Sequence, residues 1–251
     1  MPLHPEARRI EDLLLNATQP LDQLQYDGWL LRFSRDDAKR ARSVNPIYGS
    51  SRPLPEKIAH CESLYAQRGM QALFRLTPFA SPPDLDQALA QRGYERIETS
   101  LVMSADLHGP LPNVRAGLHF ERPHLGKWLD FAAAMRDLSP QRKRAEYERL
   151  FEGTLPGFAV VAFLGDTPVA CGLTMVEEDY AGLFAVCTLD DYRNQGIGTA
   201  LCAHLMQTAR LHGADRCWLS VVADNVTALR VYEKLGFSPV YEYWYRARPS
   251  D

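Results

Sequence analysis

The sequence predicts an α+β protein of two lobes, each built on a mixed, mostly antiparallel sheet flanked by helices. Three β-rich runs joined by tight turns occupy residues 157–188, and this pattern is typical of an antiparallel meander. Amphipathic helical patterns separate the strands that follow. A helix–glycine–strand pattern recurs about 144 residues further along the chain, which indicates a second lobe of similar plan.

Residues 114–151, which precede the meander, predict one strand and two helices, and Ser139-Pro140 separates the two helices. Val114–Phe120 has the pattern of a short strand, and Pro123–Leu138 that of a helix. Ser139-Pro140 ends this helix and starts another at Pro140–Phe151, because proline fits the first helical turn but not the interior. We therefore expect two helices between the first strand and the meander.

Glycines and polar turns bound the meander and the elements after it. Gly165-Asp166 and Glu177-Glu178-Asp179 separate the three strands. A helix follows with Ile197 and Leu201 on one face, and Gly213 stands where it should end. The predicted elements of this part are, in order, Gly157–Leu164, Pro168–Val176, Ala181–Thr188, Gly196–His212, Arg216–Val222, Asn225–Leu235 and Val240–Arg246.

Two segments of the N-terminal half resemble later segments at nearly one offset. Ser63–Leu76 resembles Thr208–Val221 at an offset of 144, and Ala88–Met103 resembles Arg230–Tyr245 at 143. We interpret the pair as an internal duplication, although helix–glycine–strand is also a common pattern in α/β proteins. Ser104–Asn113 has the Gly, Pro and Asp/Asn content of a linker. The predicted domains are therefore 1–107 and 108–251.

Composition excludes several classes of function. The 251 residues are 46% hydrophobic, and 28 basic against 31 acidic residues give a net charge of −3, without the basic excess typical of nucleic-acid binding. Apolar runs such as Phe158–Leu164 are too short to cross a bilayer, and the first residues lack the pattern of a secretory signal. We expect a cytoplasmic protein with no nucleic-acid or membrane partner.

The cysteines and histidines predict no metal site. The five cysteines form no C-x-x-C pair, and no H-E-x-x-H occurs among the seven histidines. An odd number of cysteines inside apolar runs is typical of small buried side chains in a reducing compartment.

The segment Thr188–Leu201 carries the chemistry. A strand ends, a short loop follows, and Arg193, Gly196 and Gly198 stand at the opening of a helix. The first turn of a helix has unpaired N–H groups and the positive end of the dipole. Glycine lets a phosphate approach this backbone closely, and arginine adds charge and donors. The segment therefore predicts a pyrophosphate cradle.

Three families use such a cradle. A Walker loop needs Lys-Ser or Lys-Thr, which is absent here, and a dinucleotide fingerprint needs a small third residue where Leu201 stands. The pattern R-x-x-G-x-G is complete, and Asn225–Phe237 matches N-x-x-A-x-x-x-Y-x-x-x-G-F. With the meander upstream, residues 114–246 resemble the GNAT acetyltransferase superfamily, and the whole chain resembles its tandem type with a degenerate N-terminal half.

The resemblance implies the roles of particular residues. The backbone before the loop should pair with the pantetheine arm of acetyl-CoA, the loop should hold its pyrophosphate, and Tyr232 should act as general acid toward the leaving thiolate. The implied coenzyme-binding residues are Val186, Cys187, Thr188, Arg193, Asn194, Gln195, Gly196, Ile197, Gly198, Thr199, Asn225 and Ala228. Asn225 is equally suited to a helix N-cap, and Tyr232 to a core position.

The resemblance implies an acetyl-CoA-dependent N-acetyltransferase that acts on a primary amine, either a small molecule or a peptide, and the sequence leaves a homodimer open. The alternatives are a non-catalytic acyl-CoA-binding or sensor protein and a nucleotide-dependent enzyme. The position of the family's general base falls near Gly182, which carries no side chain, so no base is assigned. The loop's counterpart in the first lobe, Gly49–Pro55, lacks the motif and is not expected to bind the coenzyme.

Overall fold

The computed structural model describes residues 4–35, 38–111, 117–136 and 140–249. Its helices and strands, in chain order, are α1 (Ala7–Asn16), β1 (Asp22–Tyr26), β2 (Trp29–Phe33), β3 (Val44–Pro46), α2 (Leu54–Gln67), β4 (Phe74–Leu76), α3 (Leu85–Gln91), β5 (Glu95–Asp106), β6 (Leu118–Glu121), α4 (Leu125–Arg136), α5 (Pro140–Glu152), β7 (Gly157–Leu164), β8 (Thr167–Glu177), β9 (Tyr180–Thr188), α6 (Ile197–Leu211), β10 (Arg216–Val222), α7 (Val226–Lys234) and β11 (Ser238–Ala247). The predicted mixed α and β architecture is confirmed.

The chain divides into two compact units, and neither is continuous in sequence. The N-terminal unit comprises Met1–Pro5, Pro20–Leu101 and Tyr241–Asp251, and the C-terminal unit comprises Glu6–Gln19 and Val102–Val240. Three segments thus differ from the predicted division at residue 107: α1 and residues 102–107 belong to the C-terminal unit, and most of β11 belongs to the N-terminal unit. These memberships depend on long-range contacts, which local sequence patterns do not record.

The predicted elements of the C-terminal half are found, with small changes at their ends. The strands predicted at Gly157–Leu164 and Arg216–Val222 have those bounds, and the other ends that lie within the described residues shift by a few residues at most. The strand expected from Val114 begins at Leu118, and residues 112–116 lie outside the described part of the chain. The linker expected from Ser104 was wrong for its first three residues, because Ser104 and Ala105 are buried in β5.

The sheet of the C-terminal unit has the strand order β10-β9-β8-β7-β6. Strands β6 to β9 are antiparallel neighbours, whereas β9 and β10 are parallel. Alternate residues of β8 face opposite sides of the sheet. Cys171 and Leu173 join the core around Trp128 of α4, whereas Gly172 faces Leu201 and Leu205 of α6. Helices therefore cover both faces of the meander.

The sheet of the N-terminal unit has the order β1-β2-β3-β4-β11, with β3 and β4 parallel and the other neighbours antiparallel. Its core surrounds Trp29, Leu31 and Phe74. Tyr243 and Tyr245 of β11 are 2% and 1% exposed, so they are core residues in this unit.

The two repeated segments end in the same type of helix cap. In each, a glycine with positive φ follows the helix, and the next residue donates its N–H to a carbonyl of the last turn, which is the Schellman arrangement. The glycines are Gly69 (φ 66°), Gly93 (φ 82°), Gly213 (φ 94°) and Gly236 (φ 87°). The internal duplication stays a prediction. Two copies of one ancestral segment are expected to share this cap geometry.

Candidate active site

The predicted pyrophosphate loop joins β9 to α6 in the C-terminal unit. After β9 ends at Thr188, a short 3₁₀ turn spans Asp190–Tyr192, and α6 begins at Ile197. Asn194 and Gly196 both have left-handed backbone, with φ of 60° and 79°. These two residues turn the chain sharply, and the first residues of α6, Ile197–Thr199, line a cleft.

The cleft has a volume of about 740 Å³ and contains most of the predicted site. The predicted residues that line it are Val186, Cys187, Thr188, Arg193, Asn194, Gly196, Ile197, Gly198, Thr199, Asn225, Ala228 and Tyr232. Gln195 does not line it, and its side-chain amide donates to the Asp191 carbonyl at 3.1 Å. Sequence reasoning missed Tyr192, Thr227, Arg230, Val231 and Lys234. Helical spacing from Ala228 is the signal that could have found Val231, and the spacing of Thr227, Arg230 and Lys234 places these three together on another face.

The strand before the loop separates from its parallel neighbour. The register pairs Tyr180–Gly182 of β9 with Arg216–Trp218 of β10, and no pair is recorded between the described residues beyond them. Ala185 has a φ of 50°, and the register of β9 with β8 shifts at this point, as in a β-bulge. The backbone of Val186–Thr188 is therefore turned out of the β10 ladder and lines the cleft.

Arg193 stands at the mouth of the loop with its guanidinium already oriented. Its Nη2 lies 2.6 Å from Asp190 Oδ1, and its Nε donates to the Thr188 carbonyl at 3.3 Å. The Asp190 side chain is 80% exposed, and ion pairs this exposed contribute about 1 kcal/mol or less. An anion in the cleft can therefore compete for this guanidinium.

Helix α7 forms the other wall of the cleft. Asn225 caps this helix, because its Oδ1 accepts the Ala228 N–H at 3.1 Å, and it lines the cleft as well. Tyr232 is half-buried and packs edge-to-face on Phe237. Burial, and secondarily the nearby Cys202 thiol, raise the pKa of Tyr232 above its usual range. Its hydroxyl therefore stays protonated throughout the neutral range.

The position where the family's base was expected is closed. A Cβ on Gly182 would lie 2.6 Å from Cζ2 of Trp218 and 2.7 Å from Cε2 of Phe184. These two rings pack edge-to-face with centroids 5.3 Å apart, so neither moves aside freely. Gly182 is thus required by packing, and no acidic side chain fits there.

The acidic run Glu177-Glu178-Asp179 lies at the turn between β8 and β9, roughly 26 Å along β9 from the loop at about 3.3 Å per residue. Two of its carboxylates bind α1: Arg9 Nη2 lies 2.7 Å from Glu178, and Asn16 Nδ2 donates to Glu177 at 3.0 Å. These acids hold the helix to its own unit, and their distance from the cleft makes them unsuitable as a base.

The described residues contain no group of three or more His, Cys, Asp or Glu side chains that could hold a metal ion, and the expectation of a metal-free site stays a prediction. In the same part of the chain, no helix has the length and apolar character needed to span a bilayer. All five cysteines are thiols, and four of them are buried.

The counterpart of the loop in the N-terminal unit is already occupied by a carboxylate of the chain. Gly49–Pro55 leads into α2 as the pyrophosphate loop leads into α6. The backbone N–H groups of Ser51 and Arg52 donate to Asp27 at 3.1 and 3.0 Å, and Ser51 Oγ donates at 2.8 Å. An acidic side chain thus takes the place that an anion takes at a helix start.

A buried lysine completes this arrangement. Lys57 is fully buried, and its Nζ lies 3.2 Å from Asp27 Oδ2 and 4.0 Å from the centre of the Trp29 ring. The backbone donors of Arg52 and Ser51, followed by the side-chain bonds, hold the pKa of Asp27 well below its usual range. Asp27 is therefore ionised throughout the neutral range.

Comparison with known proteins agrees with this geometry. Residues 128–237 match the acetyltransferase (GNAT) family, and this stretch includes the loop, the cleft and α7. A relative that matches almost end to end is "Uncharacterized N-acetyltransferase YobR" of Bacillus subtilis, 29% identical over 97% of this chain and 99% of that protein. The "[Ribosomal protein bS18]-alanine N-acetyltransferase" of Escherichia coli is 41% identical over 69 residues, covering 28% of this chain and 47% of that enzyme.

Solved structures show the same fold. A GCN5-related N-acetyltransferase from Kribbella flavida superposes with a TM-score of 0.76 at 18% identity, over 100% of this chain and 98% of that one. A tandem GNAT protein from the clavulanic acid biosynthesis pathway gives 0.61 at 19% identity, over 78% and 70%. Residues 128–237 belong to the GNAT acetyltransferase family, and the chain is an N-acetyltransferase.

Proposed function

We propose that the protein transfers the acetyl group of acetyl-CoA to a primary amine by direct attack on the thioester. The observation that carries the proposal is the single cleft that brings together the glycine loop at the start of α6, the end of β9 that is unpaired on its β10 side, and Tyr232 of α7. Acetyl-CoA supplies an activated acyl group and a thiolate leaving group. Each wall of the cleft offers what one part of such a donor needs.

The loop and the strand hold the donor in this proposal. The N–H groups that open α6, with Arg193 beside them, bind the pyrophosphate, because the helix dipole and a guanidinium both favour an anion there. Val186, Cys187 and Thr188 offer backbone groups freed from the β10 ladder to the amide-bearing pantetheine arm. Asn225 and Ala228 contact the donor from α7, and the remaining loop residues Asn194, Gln195, Ile197 and Thr199 shape the cradle.

Tyr232 is the general acid. When the amine attacks the thioester carbonyl, the bond to sulfur breaks and the sulfur needs a proton. A phenol of raised pKa is protonated when required, and it can donate its proton to the sulfur as the carbon–sulfur bond breaks. The charge that develops on the carbonyl oxygen is stabilised by backbone N–H donors of β9, which are fixed before the reaction begins. The amine arrives neutral or loses its proton to water.

The N-terminal unit does not bind the coenzyme in this proposal, because Asp27 fills the corresponding position and would repel a phosphate. It contributes to structure or to recognition of the acceptor. The names of relatives support an amine acceptor: one is an alanine N-acetyltransferase acting on a ribosomal protein. For this chain we propose a small-molecule or peptidic amine. The cysteine thiols support a reducing, cytoplasmic setting.

The proposal is tested with the purified chain in two steps. Calorimetric titration with acetyl-CoA should give a saturable 1:1 isotherm, and millimolar coenzyme should raise the melting temperature. A thiol-release assay over a panel of amines, including amino acids, polyamines, aminoglycosides and peptide N-termini, should then identify turnover. Absence of both binding and thermal stabilisation would refute the proposal. Binding without turnover of any amine would favour the sensor alternative.

A further inference from the structure

Helix α7 presents two faces to the cleft that differ in chemistry. Successive helical residues are rotated by about 100°, so Ala228 and Tyr232 lie on one side while Arg230 and Lys234 lie on the other. Burial follows this division, because Ala228 and Tyr232 are partly buried whereas Arg230 and Lys234 are exposed. We name the exposed side, formed by Thr227, Arg230 and Lys234, the outer rim.

The outer rim carries two positive charges that form no ion pair with the described residues of the chain. Arg230 and Lys234 line the cleft, yet no carboxylate among the described residues lies within ion-pair distance of either. Arg193, in contrast, is held by Asp190 at 2.6 Å. Since two like charges one turn apart repel, leaving both exposed costs free energy unless an anion is bound beside them. This pair is suited to a ligand with a compact double negative charge.

The proposed donor has one phosphate left for this rim. Its pyrophosphate is matched to the start of α6, and its thioester lies on the inner side with Tyr232. Coenzyme A also carries a phosphomonoester on the ribose 3′-oxygen, with nearly two negative charges at neutral pH. We infer that Arg230 and Lys234 bind this 3′-phosphate and select coenzyme A thioesters over donors that lack it. Dephospho-CoA and the phosphopantetheine arm of a carrier protein are such donors. The inference rests on the proposed function.

Arg230 and Lys234 are exposed to solvent, and this exposure limits how strongly they can favour CoA. Two charge-assisted contacts to one phosphate should give a preference for CoA over dephospho-CoA on the order of tenfold in Kd at low salt. The preference should shrink as ionic strength rises, because exposed charges are screened. The pyrophosphate is common to both compounds, so its contacts cancel in the ratio.

The experiment is calorimetric titration of the full chain with CoA and with 3′-dephospho-CoA. The variants are Arg230→Gln/Lys234→Gln and a control, Lys127→Gln/Arg144→Gln, which removes the same charge outside the cleft. The rim variant should bind dephospho-CoA as the unmodified chain does and bind CoA about tenfold more weakly, so its ratio falls to within about twofold of one. The control should keep the original ratio. Because Arg230, Lys234 and Lys127 are exposed and Arg144 is only half-buried, folding should persist, as a melting curve verifies.

Three outcomes overturn the inference, and they are distinguishable. Equal affinity of the unmodified chain for CoA and dephospho-CoA refutes the rim assignment and leaves the proposed function intact. Failure to bind either compound refutes both. A rim variant that loses affinity equally for the two compounds also refutes the assignment, since the cations would then serve the pyrophosphate. The salt dependence gives a second supporting result besides the loss of preference in the rim variant. The preference for CoA over dephospho-CoA should be smaller at 500 mM salt than at 50 mM salt.

Discussion

Replacement of Gly196 by alanine should weaken the coenzyme cradle through the backbone alone. Gly196 has a φ of 79°, which is left-handed, and it immediately precedes α6. A Cβ built at this position meets no atom within 4 Å, so steric collision does not contribute. The penalty is the intrinsic cost of left-handed backbone in a residue with a Cβ, about 1–2 kcal/mol.

This penalty translates into a measurable change in affinity. If the loop of the Gly196→Ala variant relaxes to avoid the strain, CoA binding must restore the left-handed conformation. A cost of about 1–2 kcal/mol corresponds to roughly a five- to thirtyfold increase in Kd for CoA. Gly196→Asn should recover part of the loss, because asparagine tolerates left-handed backbone better than alanine does. Gly198 is a useful contrast: its φ is not positive, and an added Cβ would lie 3.3 Å from Thr188 Oγ1.

The assay is calorimetric titration of CoA combined with urea unfolding for each variant. Gly198→Ala should stabilise the fold by up to about 1 kcal/mol, since alanine is the better helix former. Gly196→Ala should not stabilise it. A Gly196→Ala variant that binds CoA within twofold of the unmodified chain, with an unchanged urea midpoint, would show that the left-handed conformation is not needed.

Three further predictions concern single residues. Tyr232→Phe should lower kcat by about 10²–10⁴ without changing the Kd for CoA, and because the pKa of Tyr232 is raised, the unmodified enzyme should keep its acid through pH 9. Asp27→Asn should lower the urea midpoint at pH 7. Its native pKa is depressed, so its contribution is present above the ordinary carboxyl pKa of about 3.9 and is lost as the pH falls below it. Gly182→Glu should lower the melting temperature sharply and add no activity, because Trp218 occupies the space.

Each of these predictions has a contrary result. Unchanged kcat in Tyr232→Phe would remove the general-acid role. A midpoint deficit in Asp27→Asn that persists equally at pH 2 would mean that the carboxylate charge is not the cause. A soluble, fully folded Gly182→Glu protein with increased turnover would show that the ring pair opens and that a base can work from that position.

Much of the C-terminal half could be predicted because its signals are local. A glycine loop opening a helix, a cap residue such as Asn225 and a strand between two turns each depend on neighbours within a few residues. The same holds for the glycines that end four helices, whose hydrogen bonds span one turn. The predicted loop and most of the predicted contact residues consequently line one cleft.

The features that sequence reasoning missed depend on contacts between distant residues. The residues next to Gly182 in sequence do not predict that Trp218 lies against it. The two residues are on parallel strands, which are joined by a long connection. Asp27 and Ser51 are 24 residues apart, and only the folded chain brings the carboxylate to the start of α2. The prolines of Gly49–Pro55 predict that the first lobe lacks a phosphate loop, and the structure adds the Asp27 carboxylate that occupies this position.

The sequence alone determined the order of elements in the C-terminal half and the glycine loop at the start of α6, and it indicated the family, since these depend on short-range periodicity and spacing. The tertiary structure decided which unit each segment joins, which side of α7 faces outward, and which polar groups are already satisfied by the chain itself. Those properties are set by packing and by electrostatic pairing in three dimensions. A residue's type fixes what bonds it can make, and only the fold determines whether Asp27, Arg193 or Arg230 has a partner.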